Sequence, residues 1–351
     1  MLSEKEKIRY ARHLILPEIG EEGQLKLKQA KVLVIGAGGL GCPVLQYLTA
    51  AGVGEIGIVD FDKVEESNLQ RQILFSSNDV GKYKATIAKE KLHKQNPYIN
   101  FVAYTSYLTS YNAAEIFSAY DIIIDGSDNF ATRYLVNDAC VMLNKILVFG
   151  SIFKFDGQVS VFNYKNGPTY RCLYSEPPAE GEMPNCAETG VLGILPGICG
   201  TLMANEVIKI ITGTGKVLSG KLLIFDALSM EFNTFKIDTN SENKKIEKLI
   251  DYETFCGTAK EISAAELKNK ILLKENFQLI DVREKSEYDL KNIGGVLIPL
   301  NSLTQNLNKI NSEKEIIVYC ASGARSKKAV QLLREKGFKK VYNLKNGLLD
   351  F

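Results

Sequence analysis

The architecture this sequence predicts is α/β: a doubly wound, mostly parallel sheet followed by a second, smaller α/β domain. Three observations point to it. The chain has 351 residues, more than the roughly 100–200 of a single domain. Short β-branched apolar runs alternate with helix-patterned stretches from Lys31 to Phe225 and again after Ile262. Between the two series, residues 229–248 turn polar and rich in Asn, Lys and Glu, which reads as a β excursion and then a linker. The boundaries expected are 1–240 for the first domain, 241–257 for the linker and 258–351 for the second domain.

In chain order, Lys31–Ile35 is the first strand, a β-branched run followed at once by GAGGLG. Leu40, Val44, Tyr47, Leu48 and Ala51 then recur at helical spacing. The strand–turn–helix unit that results is Rossmann-like. A second strand, Ile56–Asp60, ends in DFD, and Asp121–Asp125, Ile146–Phe149 and Leu222–Phe225 read as further buried strands. In the second domain, Gln278–Asp281 and Glu315–Tyr319 are strands. A helix is expected from about Ser326 to Lys336, with a last strand near Val341.

Composition narrows the function classes. Hydrophobic residues at 45% and charged residues at 24% suit a globular protein with a sizeable core. A net charge of +2 gives no reason to expect nucleic acid as a partner. Charge is uneven, about +4 over residues 251–351 and about −2 over residues 1–250. The opening MLSEKEKIRYARHLI lacks the apolar core of a secretory signal, and no run of about 18 apolar residues implies a membrane span. A cytoplasmic enzyme is expected. The cysteines, at 42, 140, 172, 186, 199, 256 and 320, are odd in number and widely spread, so free thiols are expected.

Gly36, Gly38 and Gly41 form G-x-G-x-x-G, with Gly39 inside it, where bare backbone N–H groups at a helix N-terminus approach phosphates. Asp60, at the end of the second strand, stands where a ribose-binding acid belongs. To this point NAD, FAD and ATP fit equally. Asp62 and the following Asn68, Arg71 and Gln72 lie beyond the strand end, and Lys84 follows in GKYKA. Two cations there suit a triphosphate rather than hydride transfer. Asp128, in DGSDNFATR after the strand ending at Asp125, is a hard carboxylate suited to Mg²⁺. The plainer role for Asp128 is to cap the helix leading to Arg133.

The stretches RYARHLILPEIG, KVLVIGAGGLGCPVLQYLTAAGVG, IVDFDKVEESNLQRQILF, GKYKA, DGSDNFATRYLVND and PNCAETGVLGILPG together resemble the E1-like enzymes that adenylylate sulfur carriers, the MoeB/ThiF family, over about residues 1–235. The resemblance implies ATP and Mg²⁺ as cofactors and a homodimer in which Arg12 of one subunit reaches the phosphates bound by the other. It assigns Asp60 to the ribose, Arg71 and Lys84 to the phosphates and Asp128 to Mg²⁺. The implied partner is a small β-grasp carrier ending in Gly-Gly, serving molybdopterin synthesis as first choice and thiamine synthesis as second. Relatives commonly hold a structural zinc with two C-x-x-C pairs. Here the first pair is reduced to Thr169 and Cys172 and the second has no cysteine, so a zinc-free protein is expected. Cys186, in PNCAETG, is a candidate for sulfur relay, because in relatives this segment crosses the adenylylation site.

Cys320 follows a strand and precedes a helix, so the turn aims backbone N–H groups at its sulfur and favours thiolate or persulfide. Gly323, Arg325 and Ser326 supply what an anion-holding loop needs. C-x-x-x-x-R-S with the upstream DVRE resembles the rhodanese family over roughly residues 258–351. That resemblance makes Cys320 the persulfide carrier and Arg325 its anion-binding partner, with a cysteine desulfurase or another persulfide donor upstream. Asp281 and Arg283 match a structural element, and Asn292 stands where the family often has His. Cys42, Cys140 and Cys199 are expected in the core. His13 and His93 are too few and too far apart for a His-based metal site, and His13 and Arg9, in RYARH, fit either a place near the nucleotide or a structural role. Two competing readings are an NAD- or FAD-dependent oxidoreductase fused to a rhodanese domain, and a non-catalytic interaction module.

Overall fold

Residues 1–178, 190–256, 261–338 and 340–351 are described by a computed structural model. They divide into two compact units, Met1–Tyr252 and Glu253–Phe351.

In the first unit, β1 (Lys31–Ile35), β2 (Glu55–Val59), β3 (Asn100–Tyr104), β4 (Ile122–Asp125) and β5 (Ile146–Phe153) run parallel in the order β3-β2-β1-β4-β5. Burial on both faces is why β1, β2 and β4 read as unbroken apolar runs. The strand expected at Ile146–Phe149 continues to Phe153, where Lys154 takes a positive φ of 52° and turns the chain into an antiparallel hairpin. Three antiparallel strands, β6 (Asp156–Phe162), β7 (Lys221–Asp226) and β8 (Glu231–Lys236), extend the sheet to eight.

Helices α1 (Glu4–Arg9), α2 (Ala11–Leu14) and α3 (Gly20–Gln29) precede β1. Crossovers carry α4 (Gly41–Ala51), α5 (Lys84–Gln95), α6 (Ala113–Ser118) and α7 (Phe130–Met142). After β6 come the short α8 (Tyr170–Leu173) and the long α9 (Leu195–Thr212), which packs on α4, β5 and β6. Among the described residues no helix is long and apolar enough to cross a membrane.

The polar stretch 241–252, read from sequence as linker, is fastened to this unit. Asn243 Nδ2 donates to the carbonyl of Arg171 at 2.9 Å, and the buried Tyr252 hydroxyl donates to Asp138 Oδ2 at 2.7 Å. Asp138 is itself held by Arg171, whose Nε and Nη2 donate at 2.7 and 2.8 Å.

The second unit is a five-stranded parallel sheet in the order β11-β10-β12-β13-β9, from β9 (Glu261–Ile262), β10 (Phe277–Asp281), β11 (Val296–Leu297), β12 (Glu315–Tyr319) and β13 (Val341–Leu344). Its helices include α10 (Ala264–Leu272), α11 (Lys285–Leu290) and α12 (Ala324–Glu335). Ile280, Val318, Val330 and Leu333 form the core between the sheet and α12. The helix expected from Ser326 starts two residues earlier, because Gly323 takes a left-handed φ of 89° and reverses the chain directly into Ala324.

Candidate nucleotide site and thiol loop

Strand order reverses between β1 and β4, the place in a doubly wound sheet where ligands bind beyond the strand ends. A cavity of about 170 Å³ lies there. Gly36, Gly38, Gly39, Asp60, Asp62, Arg71, Gln72, Lys84 and Asp128, all expected from sequence, line it. Gly41 does not, and its reason is packing: a Cβ there would stand 1.9 Å from the carbonyl oxygen of Gly36. At Gly38 a Cβ would meet only Gln72 Nε2, at an ordinary contact distance of 3.7 Å, so packing within the protein does not demand glycine there. Asn68 is buried and does not line the cavity.

Asp60 ties the glycine loop to the end of β2. Its Oδ2 accepts from the amide of Ala37 and its Oδ1 from that of Asp62, both at 2.8 Å. Burial pushes its carboxyl up, while the charge of Lys84 and the two amides hold it back. Lys84 begins α5, is buried, and puts Nζ 3.2 Å from Asp62 Oδ2. Arg71 Nη1 donates to the carbonyl of Ser67 at 3.1 Å.

At the end of β4, Asp125 is 1% exposed; its Oδ1 accepts the amide of Ser127 at 2.9 Å, and Oδ2 has no partner among the described residues. Burial raises this carboxyl, against the charge of Arg133. The cap of α7 is Asn129, whose Oδ1 accepts the amide of Thr132 at 2.8 Å. Capping is therefore not the role of Asp128, which is exposed and has no hydrogen bond or ion pair among the described residues.

Sequence reasoning passed over Arg133. It lines the cavity, Nη2 donates to the carbonyl of Ser127 at 3.2 Å, and its guanidinium stands 5.5 and 5.6 Å from the rings of Phe130 and Phe149. The signal available was its position four residues past the cap in DGSDNFATR.

Gln72 Oε1, Ser127 Oγ and Arg133 Nε are buried at this wall without a partner among the described residues. Buried polar groups left unpaired by the protein call for a polar ligand. Arg71 and Lys84 supply positive charge for phosphates and Asp128 a hard oxygen for a divalent cation. The residues present thus fit ATP and Mg²⁺.

Arg12, on α2, is exposed and lies outside this cavity. Its neighbours in RYARH are structural. Arg9 donates to the carbonyl of Gln95 at 3.0 Å, and His13 Nδ1 pairs with Gln24 Oε1 at 3.0 Å.

In the second unit, Cys320 closes β12 and is 1% exposed. Its Sγ accepts the amide of Gly323 at 3.2 Å and the hydroxyl of Ser326 at 3.4 Å. Burial opposes ionisation, yet the Ser326 hydroxyl and the amides of Ser326, Ser322 and Gly323 outweigh it and draw the thiol below its ordinary range. Arg325 lies on the same loop but commits its fork to Glu287, Nη1 to Oε2 at 2.7 Å and Nη2 to Oε1 at 2.6 Å. Arg283 and Asp281 form a buried pair at 2.6 Å, and Arg283 Nη2 also donates to the carbonyl of Lys291. Asn292 closes a local turn, donating to the carbonyl of Tyr288 at 2.9 Å and accepting the amide of Gly294 at 3.0 Å.

The remaining thiols differ. Burial pushes Cys42 and Cys199 up to about 12 and Cys140 well above its ordinary value, as suits core residues. Cys172 accepts the amides of Thr169 and Asn240, each at 3.4 Å. Burial would raise this thiol, but hydrogen bonds led by the Thr169 hydroxyl draw it down. Among the described residues no three His, Cys, Asp or Glu side chains are placed to hold a metal. Cys186 lies outside the described residues.

Residues 10–246 match the ThiF family and residues 263–351 the Rhodanese-like domain. The probable adenylyltransferase/sulfurtransferase MoeZ of Mycobacterium tuberculosis is 45% identical over 99% of this chain and 93% of its own length. A sulfur carrier protein adenylyltransferase of Thermus thermophilus is 51% identical over 73% of this chain and 98% of its own. The crystal structure of E. coli MccB with MccA-N7isoASN shares the fold, with a TM-score of 0.59 at 24% identity over 67% of this chain and 72% of that one. The dinucleotide-oxidoreductase and non-catalytic readings fall with these matches. The chain belongs to the ThiF family, as an ATP- and Mg²⁺-using adenylyltransferase that also carries a rhodanese-like sulfurtransferase domain.

Proposed function

We propose that the first unit adenylylates the C-terminal glycine of a small β-grasp sulfur carrier ending in Gly-Gly, and that a persulfide on Cys320 then converts the adenylate toward a thiocarboxylate. The observation that carries this reading is the pairing, in one chain, of a polyphosphate-type cavity with a thiol held by hydrogen-bond donors.

The carrier's carboxylate is already ionised, so no side-chain base is needed. Its oxygen attacks the α-phosphorus as the bond to pyrophosphate breaks, an encounter of anions that Arg71 and Lys84 ease by neutralising phosphate charge. Asp128 would hold Mg²⁺, which when bound supplies charge neutralisation on the phosphates. Arg12, free of partners among the described residues, is read as the group one subunit of a homodimer lends to the other. Asp60 is assigned to the ribose; Asp62, Asn68 and Gln72 shape the site around it.

Gly323 and Ser326 stabilise the anionic persulfide on Cys320. Its terminal sulfur attacks the acyl carbon and AMP leaves, giving an acyl disulfide. A second thiolate, for which Cys186 is the candidate, attacks the Cys320 sulfur; the S–S bond breaks, the thiocarboxylate leaves with the electron pair, and the disulfide formed with Cys320 is reduced by an external thiol before the next turnover. The persulfide comes from a cysteine desulfurase or a comparable donor, in a cytoplasmic setting. The molybdopterin-synthase small subunit is the first choice of carrier and the thiamine carrier the second.

The test is ATP/pyrophosphate exchange with each carrier in turn, followed by intact-mass analysis of the carrier after a persulfide donor is added. Exchange with one carrier and its conversion to thiocarboxylate is the expected result. Absence of exchange with every Gly-Gly carrier would overturn the reading.

A further inference from the structure

The fork of Arg325 is paired with a single carboxylate. Both terminal nitrogens donate to the two oxygens of Glu287, at 2.7 and 2.6 Å, across 38 positions of sequence. Arg325 is the only cation within the loop CASGARS. Nearby cations are held as well, Arg283 by Asp281 and Lys327 by Glu261 at 3.0 Å; Lys328, on the same helix, is exposed. Among the other loop donors, the Gly323 amide and the Ser326 hydroxyl point at Cys320 Sγ itself. They serve the sulfur that the enzyme carries, not the body of an incoming donor.

Donors differ in charge. With thiosulfate, the Cys320 thiolate attacks the outer sulfur, the S–S bond breaks, and sulfite leaves with the bonding electrons. A thiolate and a dianion thereby become a persulfide anion and the sulfite dianion. With a protein persulfide, the thiolate attacks the terminal sulfur and the donor's own thiolate leaves. The first encounter sets a dianion against a thiolate and needs an uncommitted cation at the loop mouth; the second carries less charge and needs it less.

We propose that Glu287 is the donor-specificity residue of this loop: by occupying Arg325 it denies small dianionic sulfane donors their counter-charge and favours persulfides presented by a protein thiol. The inference rests on the reading of Cys320 as the sulfur-carrying thiol.

The full chain is assayed with thiosulfate and cyanide, and separately for persulfide loading from a cysteine desulfurase supplied with cysteine. Glu287→Gln should raise kcat/KM for thiosulfate about tenfold, mainly through a lower KM, while loading from the protein donor changes less than about twofold. Glu287→Asp, which keeps the charge, should keep the wild-type preference. Adding Arg325→Ala to Glu287→Gln should abolish the gain. An unchanged or lower thiosulfate kcat/KM in Glu287→Gln, an equal gain with both donors, or a gain that survives loss of Arg325 overturns the role of Glu287. Cys320→Ser separates the two failures. Full thiosulfate turnover in that variant defeats the reading of Cys320, whereas its loss alongside an unmoved preference in Glu287→Gln defeats only the specificity role.

Discussion

Asn129 Oδ1 accepts the backbone N–H of Thr132 at 2.8 Å, and in taking the cap of its helix it releases the adjacent Asp128 from any structural task. An exposed carboxylate with no partner among the described residues, lining a cavity with Arg71 and Lys84, is free to serve a cation. Asp128→Asn should therefore leave the melting temperature near wild type, since surface changes away from caps and cores cost within about 0.5 kcal/mol. ATP/pyrophosphate exchange should fall on the order of 10²-fold, the scale of losing one electrostatic contributor to a transition state. Wild-type exchange in this variant would remove Asp128 from the metal site.

Cys172, the one thiol left of the zinc clip that the family resemblance raised, accepts the backbone N–H of Asn240, 68 positions away. The thiol accepts backbone N–H groups, and Asn243 pins the carbonyl of Arg171, so hydrogen bonds do the fastening. Chelators should leave thermal stability unchanged, and Cys172→Ala should cost about 1 kcal/mol, one net hydrogen bond's worth. Because the Cys172 thiol is drawn below its ordinary range, its alkylation by iodoacetamide should begin at lower pH than that of an unfolded-chain cysteine. Elemental analysis that finds one tightly held zinc per chain would contradict the hydrogen-bonded clip.

Asp79 pairs with Lys91 of α5 and makes part of the fold's stability acid-sensitive. Burial would raise its carboxyl, but bonds from Lys91 and Ser76 outweigh burial and bring it down to about 2. Its folded-state value lies below the unfolded one, so its contribution is complete above the usual carboxylate range and is lost as pH falls toward 2. Lys91 belongs to α5, the helix that begins at Lys84. Asp79→Asn should therefore lower stability at neutral pH by roughly 1–3 kcal/mol and flatten the fall of the melting temperature between about pH 4 and 2. An unchanged acid profile would show that the Asp79–Lys91 pair contributes nothing.

Local pattern carried much of this protein and long-range pairing carried the rest. The runs at β1, β2 and β4 were legible because strands buried on both faces need apolar residues throughout. The glycine loop was legible because Gly41 has no room for a Cβ. Whether Asp128 or Asn129 caps α7 was not legible, since both residue types cap well and the extended backbone at Asn129 decides between them. Arg133 gains its place from Phe149 and Ser127, and Arg325 gains Glu287 from 38 positions away. Such partners are set by how elements pack, and no spacing rule reports them.

Cys320→Ser should separate the two activities. Serine keeps the approximate size at a site that is 1% exposed, and it still accepts from Gly323 and Ser326, so the loop should hold its shape. What it loses is S–S chemistry altogether. The adenylylation residues lie in Met1–Tyr252, a separate compact unit, so ATP/pyrophosphate exchange should stay near wild type. Thiocarboxylate formation should fall to background, with the adenylate accumulating or hydrolysing. Cys186→Ser gives the contrast: a relay thiol predicts that Cys320 still loads persulfide while the thiocarboxylate is not released, whereas a structural thiol predicts that both steps persist. In wild type, the pH profile of Cys320 alkylation should be displaced to lower pH, because its thiol is drawn down by the Ser326 hydroxyl and the loop amides against the opposing effect of burial. Ser326→Ala removes one of those donors and should move the profile back toward higher pH. Intact-mass analysis of enzyme and carrier, after incubation with ATP, Mg²⁺ and a persulfide donor, follows every species at once. A normal thiocarboxylate yield from the Cys320→Ser protein, with other sulfurtransferases excluded, would place the sulfur entry point elsewhere in the chain.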